Sequence, residues 1–102
     1  MSAPLGDPEN DARIDARVGE PLEISFSENG TTGYQWGVDA HEMEADVDST
    51  YEPDGGAAGA GGRRVFRIVP RHAGEQRLTF SLKRSWSPQP IDQRTVHVSV
   101  AG

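Results

Sequence analysis

The sequence predicts an all-β fold, an antiparallel sandwich of about seven to eight short strands. Three observations carry the prediction. Apolar residues alternate with polar ones at a period of two from Arg13 to Val100, and no stretch repeats at the helical period. The alternating runs are short and separated by turn signals, in a chain with 12 Gly and 7 Pro. At 102 residues and 34% apolar content the chain is one domain, able to bury roughly two-thirds of its unfolded surface around a small core.

The elements follow in order. Residues 1–11 are polar and contain two prolines, and read as a flexible N-terminal tail before a domain spanning 12–102. The first strand starts at Arg13, with Ile14, Ala16 and Val18 on one face. Leu22, Ile24 and Phe26 alternate with Glu23 and Ser25 in the second. Tyr34, Trp36 and Val38 mark the third, and Val47 to Tyr51 a weaker fourth. Residues 53–62 are a Gly/Ala-rich loop. A fifth strand over Arg63 to Val69 turns Phe66 and Ile68 inward, a turn follows at Pro70 to Gly74, and Leu78, Phe80 and Leu82 mark the sixth. Residues 84–91 form a loop that contains Trp86, and Val96, Val98 and Val100 close the chain.

Strand parity adds a spatial prediction. In an antiparallel arrangement every second connection lies at the same end of a sandwich. The loops at 29–34, 53–62 and 84–91 are therefore neighbours. Function carried on loops of a rigid scaffold is expected at that end.

Net charge is −6, but unevenly distributed. Residues 1–54 hold all the acids except Glu75 and Asp92, against only Arg13 and Arg17; the remaining eight basic residues lie beyond Gly62. Such asymmetry can mark a nucleic-acid face. The basic residues are spread through strands and no basic cluster carries stacking aromatics, so the reading adopted is opposite charges facing across paired strands.

The candidate sites contain little chemistry. There is no Cys, hence no disulfide, thiolate nucleophile or Cys-bound metal. His41-Glu42-Met43-Glu44 lacks the second His of a zinc helix, with Ala45 in its place, and reads as a solvated acidic edge. His97, within Val-His-Val, is expected to face water. Gly59-Ala60-Gly61-Gly62 runs into Arg63-Arg64 and a strand rather than a helix start, so it is a flexible or backbone-presenting loop and not a phosphate cradle. Neither a sharp nucleophile turn nor a carboxylate pair set in a groove is visible, and no cofactor is expected. Asn29-Gly30 is a turn dipeptide and, with Thr31, a glycosylation acceptor pattern; the Thr31-Thr32-Gly33 that follows exceeds what a bare turn needs and favours a recognition loop. Trp86 has two readings, a lid folded onto the core or an exposed anchor of the kind enriched at binding hot spots.

Together these residues resemble the chagasin family of cysteine-peptidase inhibitors. That family carries N-P-T-T-G-[YF]-x-W, G-x-G-G and R-P-W in three successive loops. Here they read Asn29-Gly30-Thr31-Thr32-Gly33-Tyr34-Gln35-Trp36, Gly59-Ala60-Gly61-Gly62 and Arg84-Ser85-Trp86, in the same order. Ala73-Gly74 with Leu78-Thr79-Phe80 also fits the family's turn and strand, so the likeness spans residues 12–100. The resemblance implies an immunoglobulin-like sandwich and reversible inhibition of a papain-like cysteine peptidase by a monomer. The first loop would cover the catalytic Cys–His pair, the glycine loop would offer backbone to the non-primed side, and Trp86 would meet the primed side, with Tyr34 and Trp36 rooting the first loop. Two positions depart from the pattern: Gly30 and Ser85 stand where the family has proline, so the resemblance implies softer loops. A rival from another class is an immunoglobulin-like adhesion or interaction module without inhibitory activity. With no signal peptide visible, the chain as written is expected in the cytoplasm, or in the periplasm or medium if a signal was trimmed.

Overall fold

The computed structural model describes residues 5–29, 33–39, 45–53 and 61–102. Among them are eight strands in two four-stranded sheets. The first sheet is ordered β1 (Leu5–Gly6), β3 (Leu22–Glu28), β6 (Gly62–Pro70), β5 (Ala45–Pro53). The second is ordered β2 (Ala12–Arg17), β8 (Asp92–Ala101), β7 (Gly74–Arg84), β4 (Tyr34–Asp39). Pairing is antiparallel except at the two N-terminal strands, β1 on β3 and β2 on β8, which are parallel.

Alternation dictates which residues meet between the sheets. Leu22, Ile24 and Phe26 of β3, Phe66 and Ile68 of β6, Leu78 and Phe80 of β7, and Val96, Val98 and Val100 of β8 are buried as expected. Aromatic packing anchors the core: Phe26 stacks on Trp36 at 4.2 Å between centroids, with Phe80 at 4.9 Å and Phe66 at 6.4 Å. Burying each such side chain stabilises the fold by about 1.5–3 kcal/mol. Val18, expected inward beside Ile14 and Ala16, is exposed because β2 ends at Arg17 and the chain turns.

Part of the charge asymmetry is resolved within the first sheet. Basic β6 lies between acidic β3 and β5, placing Arg67 opposite both Glu23 and Asp48, and Arg63 opposite Glu52. Arg64 pairs with Glu28, and Arg71 with Asp46.

Residues 5–11 are not the loose tail expected. Leu5–Gly6 extends the first sheet, and the next residues cross to the second. Asp7 and Asp11 turn the chain with φ of 45° and 66°, a left-handed geometry that Asp tolerates. The Asp7 carboxylate accepts from the Ser27 amide at 2.8 Å and from Arg63 at 2.9 Å. Burial acts to raise the Asp7 pKa, but these bonds outweigh it and hold the carboxyl below its usual range. Further on, Asn10 accepts from the Thr95 amide at 2.8 Å, and Arg94 donates to the Pro8 carbonyl at 2.9 Å. His97, expected to face water, is half-buried, with Asp11 at 3.0 Å. These ties are polar and isolated along the chain, so they leave no periodic trace.

Candidate functional site

Register brings the stems of the three loops together. Gly62 lies opposite both Glu28 and Pro53, which sets the stems of the first and glycine loops side by side in one sheet. Tyr34 lies opposite Arg84, and Leu82 opposite Asp92, which does the same for the first and Trp86 loops in the other. Of the predicted site residues, Asn29, Gly33, Tyr34, Gly61, Gly62, Arg84, Ser85 and Trp86 are therefore at one end of the sandwich. Gly30, Thr31, Thr32, Gly59 and Ala60 lie outside the described residues, as does the acidic edge at His41 to Glu44.

Trp86 is held in place but open to solvent. Its residue is 71% exposed, which excludes the core-lid reading. The Arg84 carbonyl accepts from the Ser87 amide at 3.1 Å, closing a turn with Ser85 and Trp86 at its corner. Leu82 accepts from the Ile91 amide at 2.8 Å and closes the far stem. The Arg84 guanidinium sits 4.4 Å from the Tyr34 ring centroid and 5.6 Å from that of Trp86, so one cation spans both rings. Each such contact contributes about 0.5–1 kcal/mol at an exposed site. Tyr34, Arg84, Trp86, Pro88 and Ile91 line a shallow depression of about 570 Å³, and Ile91 is 60% exposed at its rim.

The glycines at this end have separate reasons. Gly33 has φ of 82°, and a Cβ there would come within 3.3 Å of the Trp86 ring. It permits both the backbone turn and the approach of the indole. Gly62 is buried, and a Cβ would stand 2.5 Å from the Tyr51 hydroxyl and 2.6 Å from the Glu52 carbonyl. Its lack of a side chain lets the stems close. Gly61 is half-buried, with the Glu28 carbonyl 3.8 Å from a would-be Cβ.

One site feature escapes the motif reading. Glu28 is buried at 6% exposure, and its carboxylate accepts from the Trp36 amide at 2.7 Å and from Arg64 Nη2 at 2.9 Å. Its carbonyl accepts from the Tyr51 hydroxyl at 3.3 Å, and the Trp36 indole donates to the Ser27 carbonyl at 3.1 Å. The signal was present in the sequence: Glu28 continues the inward phase of Leu22, Ile24 and Phe26, where a charge has to be paired. Among the described residues no group of three or more His, Asp or Glu could hold a metal.

The described residues at this end thus present an exposed tryptophan, braced by Arg84 and close to Gly33. The sequence pattern of the Chagasin family peptidase inhibitor I42 matches residues 15–100. The chain belongs to the chagasin family of peptidase inhibitors. Amoebiasin-1 of Entamoeba histolytica is 32% identical over 101 residues, covering 94% of this chain and 97% of the relative. Chagasin of Trypanosoma cruzi is 29% identical over 94 residues, covering 85% of this chain and 86% of the relative. The solved structure of the cysteine protease inhibitor EhICP2 from Entamoeba histolytica superposes with a TM-score of 0.82 at 18% identity, over 96% of this chain and 94% of that one. That likeness concerns the fold, which is the immunoglobulin-like sandwich the resemblance implied. As a chagasin-family member the chain is an inhibitor and not an enzyme.

Proposed function

We propose that this chagasin-family chain inhibits papain-like cysteine peptidases by lowering the loop end of its sandwich into the active-site cleft. The observation that carries the reading is Trp86, 71% exposed yet fixed by Arg84 and seated against Gly33 at the end where the family motifs converge. In this reading residues 29–34 lie over the catalytic Cys–His pair. Thr31 and Thr32 bond polar groups of the cleft, losing little side-chain entropy. The backbone of the glycine loop pairs with the non-primed side as an extended substrate would. Arg84, Ser85 and Trp86 face the primed side, where the indole supplies the apolar anchor.

Inhibition without reaction needs a wedge that offers the thiolate no peptide carbonyl in attack geometry. The chain contributes no group to the chemistry, and its Cys-free composition leaves no thiol to form a mixed disulfide. Blocking follows from occupancy alone, so it is reversible. Titration of papain with the full chain tests this: competitive, reversible inhibition at one chain per enzyme is expected. Unimpaired turnover at high micromolar chain would overturn it and leave the non-inhibitory interaction module as the better reading.

A further inference from the structure

Glu28 occupies a position where β3 would ordinarily carry an apolar residue. It is in phase with Leu22, Ile24 and Phe26 and points between the sheets. Its side chain is 3% exposed and that of Arg64 14%. Desolvating two charges is costly, and an apolar pair of similar volume is often as stable, so stability alone does not account for the pair. A carboxylate does something a leucine cannot: it joins several parts of the chain at once. It accepts the Trp36 amide from the opposite sheet at 2.7 Å, and Arg64 holds both its oxygens at 3.3 and 2.9 Å. The same residue's carbonyl takes the Tyr51 hydroxyl, and Arg64 lies 5.3 Å from the Tyr51 ring centroid. Glu28 and Trp36 flank the first loop; Tyr51 and Arg64 flank the glycine loop.

We propose that Glu28 is a positioning residue of the inhibitory end. Through the Trp36 amide, Arg64 and Tyr51 it locks the stems of two loops into one unit, so that a peptidase meets both already arranged. This rests on the reading of that end as the peptidase-binding end. The lock acts at the base of the first loop and is separate from the stiffness that a proline at Gly30 would add within it. Prearranged loops lose less freedom on binding, and affinity rises accordingly.

The test compares the full-length wild type with Glu28→Gln, which replaces the charged acceptor of the Trp36 amide with a weaker neutral one and removes the charge facing Arg64. Amide hydrogen exchange is read at Trp36 and Val98, and inhibition is read on papain. Expected are exchange at the Trp36 amide faster by about tenfold, unchanged exchange at Val98, and papain inhibition weaker by about tenfold. Exchange that rises equally at Val98, or a Trp36 amide that does not respond, would overturn the positioning role. Arg64→Lys, which retains the charge but not the two-point hold, provides the same readout if Glu28→Gln does not fold. A wild type that fails to inhibit papain removes the peptidase reading, while the exchange pattern still decides whether Glu28 locks the stems.

Discussion

Replacing Trp86 with alanine separates binding from folding, because the ring is ordered but largely uncovered. Trp86 is 71% exposed. A tryptophan side chain offers up to about 250 Å². The covered three-tenths is worth at most about 2 kcal/mol of stability at about 25 cal/mol per Å². The open seven-tenths would be worth about 4 kcal/mol if a cleft wall covered it fully. Ordering and imperfect fit reduce that, leaving a hot spot of about 2 kcal/mol or more, roughly a thirtyfold loss of affinity. Trp86→Ala should therefore weaken papain inhibition about thirtyfold while lowering the melting temperature by less than about 10 °C. Trp36→Ala is the contrast: that ring is 6% exposed and stacked on Phe26, and its loss costs about 3–5 kcal/mol of stability. Inhibition constants on papain and thermal melts of the same preparations give both numbers. A Trp86→Ala chain that melts lower but inhibits as well as the wild type would refute the anchor role.

Gly33→Ala places a side chain at φ of 82° and against the Trp86 ring, so inhibition should weaken by tenfold or more with a stability loss of about 1 kcal/mol, read by the same two assays. Ser85→Pro fills the corner of the Arg84–Ser87 turn with a preset φ, and Gly30→Pro restores the family residue in the first loop; each should tighten papain inhibition by about two- to fivefold, and unchanged or weaker inhibition would remove preorganisation as the reason. Asp7 has a folded-state pKa below its usual 3.8, so its docking contribution is present above that value and is lost as the pH falls through the lower folded value. In an acid titration followed by NMR, the Ser27 amide should lose its Asp7 bond in that window, and Asp7→Asn should show no such step.

Legibility in the sequence followed physical periodicity. Leu22 to Phe26, Leu78 to Phe80 and Val96 to Val100 are buried as read, because a strand with one buried face writes its pattern at every second residue. Antiparallel parity was enough to gather the loop stems, as the register of Gly62 with Glu28 and Pro53 and of Tyr34 with Arg84 shows among the described residues. Residues 5–11 were not legible, since two left-handed aspartates and a few side-chain-to-backbone bonds fix them, none of which repeats. Glu28 was half legible. Its phase said inward, but its partners, Arg64 at a separation of 36 residues and the Trp36 amide, are contacts only the tertiary fold creates. Trp86 stood open between two readings until its exposure decided between them.

In the proposed binding mode one end of the sandwich, and no other surface, meets the peptidase. Amide hydrogen exchange of the chain, alone and saturated with papain, tests it directly. Slowed exchange is predicted within residues 29–34, 53–62 and 84–91, with no change at the opposite end around Gly19 and residues 71–73. Protection at that opposite end or along the outer sheet faces, with the three loops unaffected, would rule out this binding mode.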